Sequence, residues 1–300
     1  MPFGSRLLLL LAASSFGCLL PLVTPLSASG YEPRIVGGEN ATATASPYTV
    51  AIRLTGKDFL CNGILISNRD VLTAAQCVYN GNAIRSASDF QVILGTLINS
   101  NSTTNATVRT VTNVWPHGDF NSTLRINDLA VLRLNNNVTN ITPASFGAST
   151  PAVNRSCDLF GWGANTTTGR PATTLQRIKL QVQSSSSAHC LKTAGANLTS
   201  GMLCAGDLQV GRGACPGDLG APFICDGRLF GVLSTAGGCG AANGTSIFTD
   251  TTKFTSWIIN RVQQAVVPPS DGSGGGGAAQ AVLQLTVLVL SVVCSMVMVK

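Results

Sequence analysis

Eight cysteines are strung along the middle of this chain, at Cys61, Cys77, Cys157, Cys190, Cys204, Cys215, Cys225 and Cys239. Two more, Cys18 and Cys294, fall in apolar stretches near the two ends. An even count in an exported domain reads as four disulfides, and a chain cross-linked four times has few folds open to it. Spacing alone leaves about 105 ways to pair eight cysteines. The alternative use of cysteine, as a metal ligand, lacks its pattern: there is no Cys-x-x-Cys, and the histidines are His117 and His189 alone. No metal site and no cofactor is expected.

Both ends read as targeting segments. Arg6 precedes an apolar run from Leu7 to about Val23, and small residues follow at Ser27, Ala28, Ser29 and Gly30. That order is a secretory signal, taken here as 1–28, with a short pro-segment at 29–34. Pro21 and Pro25 interrupt the run and argue against a membrane span. At the other end a Pro/Gly/Ser-rich linker covers 265–277, and an almost wholly apolar tail covers 278–300, closed by Lys300. Small residues, a spacer and an apolar tail form the signal for a GPI lipid anchor. A transmembrane helix needs about the same length, so both readings stay open. Either one places the body at the cell surface or in the secreted fraction.

Ten Asn-x-Ser/Thr sites fit that location: Asn40, Asn101, Asn105, Asn121, Asn137, Asn140, Asn154, Asn165, Asn197 and Asn243. Each is a candidate glycan acceptor. Only 11% of residues are charged, against a usual ~25%, and the net charge of +6 is spread with no Lys/Arg run. A nucleic-acid partner is therefore not expected. With 45% apolar residues the chain has enough for a core and is no disordered tail.

The body, 35–264, reads as all-β. In Tyr48 to Leu54 the apolar side chains fall at 48, 50, 52 and 54, and Ile178 to Val182 alternates strictly. Gly, Asn, Ser and Pro clusters separate such runs, as in barrels or sandwiches of antiparallel strands. One helix stands out at the end, with Phe254, Trp257, Ile258 and Val262 on one face. No internal repeat is visible.

Four stretches carry a family likeness, in order. Arg34 precedes Ile35-Val-Gly-Gly38; Leu72-Thr-Ala-Ala-Gln-Cys77 follows Cys61; then comes Asn127-Asp-Leu-Ala-Val-Leu-Arg-Leu134; then Cys215-Pro-Gly-Asp-Leu-Gly-Ala-Pro222. Gly161-Trp-Gly163 and Ser234 also fit. Over 35–264 the chain resembles the chymotrypsin/trypsin-like serine proteases. The resemblance implies two antiparallel six-stranded β-barrels with a C-terminal helix. It implies the disulfides Cys61–Cys77, Cys157–Cys225, Cys190–Cys204 and Cys215–Cys239.

Chemistry of this family needs a serine nucleophile, a histidine that takes its proton and an aspartate that orients the histidine. Carried over residue by residue, the aspartate is Asp128, the histidine position holds Gln76 and the serine position holds Leu219. A leucine side chain has no lone pair with which to attack a carbonyl. A glutamine amide hydrogen-bonds but does not shuttle protons near neutral pH. His117 and His189 match no histidine motif of the family. Asp128 is expected as a buried, hydrogen-bonded carboxylate with Gln76 as a candidate partner.

The specificity pocket also departs from the family. Gly213 stands where members that prefer basic residues carry an aspartate, and Ala236 and Ser246 stand where open-pocket members carry glycines. By contrast, Arg34-Ile35 is a plausible activation cut, and Asp218, which pairs with the freed amino group in the family, is retained. The sequence thus implies an inactive protease homologue, in character like the secreted glucanase inhibitor proteins. Its expected partners are an extracellular protein, such as a secreted hydrolase, and the membrane through its tail. A heavily glycosylated coat or adhesin, and an active endopeptidase, are the competing classes.

Overall fold

The computed structural model describes residues 37–99, 106–164, 169–195, 198–208 and 212–264. The expected signal, pro-segment, linker and tail all lie outside these residues, as do Arg34, Ile35, Asn101, Asn105, Asn165 and Asn197. Among the described residues no helix is long and apolar enough to cross a membrane.

Twelve main strands build two closed barrels. The first holds β1 (Thr49–Leu54), β2 (Phe59–Leu65), β3 (Asp70–Thr73), β4 (Phe90–Leu94), β5 (Thr107–Pro116) and β6 (Ala130–Leu134). The second holds β7 (Ser156–Gly161), β8 (Gln176–Val182), β9 (Met202–Gly206), β10 (Pro222–Cys225), β11 (Arg228–Thr235) and β12 (Ser246–Asp250). The first barrel closes in the order β1-β2-β3-β6-β5-β4, and the second repeats that path as β7-β8-β9-β12-β11-β10. The same topology is thus used twice, although no repeat is legible in the sequence. Closure removes the free edges that an open sheet would expose to other chains. Two short strands attach outside the barrels: Glu39–Asn40 pairs with β8, and Ser145–Phe146 pairs in parallel with β11.

Strand patterning behaves differently in the two segments that announce it. β8 alternates buried and outward residues along Gln176–Val182, as its sequence indicates. In β1, Val50 and Ile52 are buried as expected, but Ala51 between them is buried too. That strand is covered on both sides, so alternation understates its burial.

All four disulfides form with the pairing that the family likeness implies, at Cα separations from 4.4 to 6.1 Å. Two helices flank the barrels. The six-residue α1 (Ala188–Thr193) carries Cys190, and α2 (Thr255–Gln263) closes the described body. Helix α1 escapes a periodicity reading because it spans under two turns; a disulfide to Cys204 pins it to β9. Helix α2 buries Ile258 and packs Phe254, Trp257 and Val262 against the first core.

The C-terminus of α2 is held by a buried cation. Arg133 of β6 donates through Nη2 to the carbonyls of Arg261 and Val262 at 3.1 and 2.9 Å, and through Nη1 to that of Gln264. Its Nε bonds Asp70 Oδ1 at 2.8 Å, and both side chains are nearly inaccessible. The carbonyls at a helix end lack partners within the helix, and a guanidinium satisfies several at once.

Candidate functional site

The site lies where the two barrels meet. A 3-10 turn directly after β3, Ala75–Val78, places Gln76, and the Cys61–Cys77 disulfide ties that turn to β2. Asp128 sits just ahead of β6 and is fully buried. Ser234 comes from β11 of the second barrel, and Leu219 from the loop before β10.

Gln76 and Asp128 are hydrogen-bonded through both backbone and side chain. The Gln76 backbone N–H donates to Asp128 Oδ1 at 3.0 Å, and Gln76 Nε2 donates to Asp128 Oδ2 at 2.6 Å. The second Nε2 hydrogen meets the Ser234 carbonyl at 2.7 Å. Ser234 Oγ donates to Asp128 Oδ2 at 2.6 Å. On the other face of the amide, Gln76 Oε1 accepts from Arg125 Nη1 at 2.8 Å. Two acceptors on one side and a donor on the other fix which end of the amide points where. Burial pushes the Asp128 carboxyl above its usual range, opposed by the Ser234 and Gln76 hydrogen bonds and by the Arg125 charge.

Leu219 is half-buried and packs against the first core. Its carbonyl accepts from the Asn62 N–H at 2.9 Å and from Asn62 Nδ2 at 3.1 Å. Asn62 Nδ2 also donates to the Gly217 carbonyl at 2.8 Å, while Asn62 Oδ1 accepts from the Trp162 N–H at 3.0 Å. One side chain from the first barrel therefore stitches three backbone groups of the second. Gly220 must be glycine beside it: its φ is +77°, and a Cβ there would lie 2.2 Å from the Asn62 carbonyl oxygen.

The positions of the expected specificity pocket are packed together. Gly213 and Ser246 are buried, and Ala236 rests on the second core. A Cβ on Gly213 would come within 3.1 Å of Gly240 N. A Cβ on Gly237 would fall 1.5 Å from the Thr245 carbonyl oxygen, so the two stretches flanking the pocket touch through their backbones. Thr245 is held in turn, its hydroxyl bonded to Thr193 at 2.8 Å and to the His189 carbonyl at 3.1 Å.

His117 stands away from this network. Its ring packs against Phe254 and Trp257, and its Nδ1 accepts from the Asp119 N–H at 3.2 Å. Among the described residues no cluster of His, Cys, Asp and Glu could hold a metal ion.

Comparison with known proteins agrees with this architecture. The family model described as Trypsin matches residues 35–258. Kallikrein 1-related peptidase b11 of Mus musculus is 33% identical over 245 residues, covering 76% of this chain and 89% of the relative. Kallikrein 1-related peptidase b5 of Mus musculus is 34% identical over 243 residues, with the same coverage. Trypsin of Sus scrofa is 30% identical over 232 residues, covering 76% of this chain and 95% of the relative. The chain belongs to the trypsin family.

Within this trypsin-family body Asp218 is the other notable carboxylate. It is fully buried, with Oδ1 accepting from the Gly163 N–H at 2.8 Å and Oδ2 from the Cys215 N–H at 2.9 Å. Burial pushes its carboxyl up to about 7 against those two hydrogen bonds. A Cβ on Gly161 or Gly163 would lie 2.3 or 2.2 Å from its carboxyl group, so both glycines are needed to seat it. Among the described residues no cation faces it; its expected partner, Ile35, lies outside them.

Two residues that bind this trypsin-family site together are missed by motif reading, Asn62 and Arg125. Asn62 had one signal, a lone amide inside the apolar run Phe59–Leu65. Arg125 had none, because a cation three residues before Asp128 looks like any surface charge. Of the ten sequons, the described ones, Asn40, Asn121, Asn137, Asn140, Asn154 and Asn243, are all exposed.

Proposed function

We propose that this protein is a non-catalytic member of the trypsin family that works outside the cell by binding another protein, as an inhibitor of a secreted hydrolase such as a glucanase. One observation carries this reading. Where the family needs a proton shuttle, the Gln76 amide has both donors and its acceptor engaged. Where the family needs a nucleophile, Leu219 offers a hydrocarbon. Loss of the nucleophile alone costs about 10⁶-fold in a related mechanism. What remains is a rigid cross-linked scaffold whose loops can vary, a common basis for recognition. Four disulfides favour an oxidising, extracellular location.

The names of the relatives suggest a peptidase. That reading would need chemistry without the serine and the histidine. A surface coat is the other reading, supported by exposed sequons on both barrels. The deciding experiment takes the glycosylated body with an Ile35 terminus, alongside protein uncut at Arg34. Each is used to capture partners from secreted fractions, then tested for inhibition of the captured hydrolase and for peptide cleavage. Saturable inhibition of one hydrolase without cleavage is the expected result. Cleavage that tracks the purified protein would overturn it, and no capture would favour the coat.

A further inference from the structure

The residue that holds Gln76 from outside has unused bonding capacity. Arg125 spends one donor, Nη1, on Gln76 Oε1. Its Nε and Nη2 have no protein acceptor among the described residues, and they are not among the buried unpaired side-chain atoms. They form an intact, solvent-reachable edge of the guanidinium. A two-donor edge of this kind matches the two oxygens of a carboxylate.

Its charge is not cancelled by contact. Asp128 is the carboxylate behind it, but the oxygens of Asp128 are taken by Gln76 and Ser234, and Gln76 stands between the two charges. No ion pair involving Arg125 forms among the described residues. The side chain is also aimed. Gln76 is clamped on its far side by Asp128 and the Ser234 carbonyl, so its Oε1 is a fixed hook for Arg125. The backbone at Arg125 is left-handed, φ 55°, as it is at Asn127, φ 57°. A long side chain seldom adopts that conformation unless its surroundings hold it there.

We infer that Arg125, presented by Gln76, is a subsite for the carboxylate of a peptide C-terminus. A free C-terminus is the simplest ligand of that chemistry. The subsite rests on the binding reading above and specifies where one part of a partner would dock.

The test uses the full glycosylated body labelled with ¹⁵N and two probes, the tripeptide Ac-Ala-Ala-Leu as free acid and as C-terminal amide. The readouts are the Arg125 Nε–H resonance in the unaltered protein and, in every variant, the side-chain amide resonances of Gln76, which Arg125 contacts. The free acid is expected to shift them saturably, with an affinity in the millimolar range, as suits a single subsite. The amide, and the acid with Arg125→Gln, are expected to bind at least tenfold more weakly. Arg125→Lys should fall between them, and Arg212→Gln, an exposed cation elsewhere, should change nothing. Equal binding of acid and amide, no shift with either, or unchanged affinity in Arg125→Gln would overturn the subsite. Partner capture that survives Arg125→Gln would reject this subsite while leaving the binding function standing. Acid-selective binding without any protein capture would do the reverse.

Discussion

Asn62 grips Leu219 twice, with its backbone N–H and its Nδ2 on one carbonyl oxygen. The same buried amide also reaches Gly217 and Trp162, so the loop bearing Leu219 is fastened to the opposite barrel.

Asn62→Ala should therefore loosen more than its own strand. It leaves the Gly217 carbonyl and the Trp162 N–H without their partner, and each such orphan costs about 1–3 kcal/mol. A loss of about 3 kcal/mol in urea unfolding is expected. Faster hydrogen exchange should appear at 215–220 while β4 and β5 stay protected. A loss under ~0.5 kcal/mol would mean the stitch is not structural.

Restoring one catalytic residue should not restore catalysis. Leu219→Ser supplies an Oγ with no base beside it, and Gln76→His supplies a base with nothing to activate. Neither single variant, cut to an Ile35 terminus, should react with a fluorophosphonate probe. The double variant should label, because Asp128 is already in place to orient an imidazole. Labelling of the unaltered protein would contradict the reading of positions 76 and 219.

Arg133 should be among the costliest residues to truncate. Arg133→Met removes the partner of buried Asp70 and bares the carbonyls at the end of α2. Breaking a buried pair from one side typically costs about 3–5 kcal/mol. Adding Asp70→Asn should recover part of that loss, since the stranded charge disappears. Thermal melts of the single and double variants read both effects.

The uncut chain should gain stability on mild acidification. The Asp218 carboxyl is raised from an ordinary 3.8 to about 7 by burial, so the folded state takes up a proton that the unfolded state does not. Its favourable effect is complete below about 3.8 and is lost as pH rises through about 7. The full span is worth about 4 kcal/mol. Asp128 is raised by the same cause and acts in the same direction. Melting of uncut protein at pH 5 should exceed that at pH 8, and Asp218→Asn should flatten the trend. An Ile35 terminus, if it reaches Asp218, should instead favour the ionised form and weaken the dependence.

Much of this molecule was legible before any coordinates. Motif order around Cys61, Asp128 and Cys215 led to the double barrel and the four bridges, and it is the basis for reading Gln76 and Leu219 as the histidine and serine positions. These are local signatures, and a few residues in fixed spacing are enough to carry them. Asn62, Arg125 and Arg133 were not legible. Each acts across the fold, on partners 49 to 157 residues away, and no local pattern, not even the lone amide of Asn62 in its apolar run, names such partners. The contact between Gly237 and Thr245 is hidden for the same reason, because it depends on how two loops settle and not on what either contains.

The chain by itself determined which chemical groups stand at three positions of this trypsin-family body: an amide at 76, a carboxylate at 128 and a hydrocarbon at 219. Side-chain chemistry is a property of the residue and needs no fold to be read. Only the tertiary structure decided what those groups do to one another. It gave the amide two acceptors and one cation, buried the carboxylate behind it and left an edge of Arg125 open. Hydrogen bonds act over about 3 Å, and distances of that order between remote segments exist only once both barrels have closed.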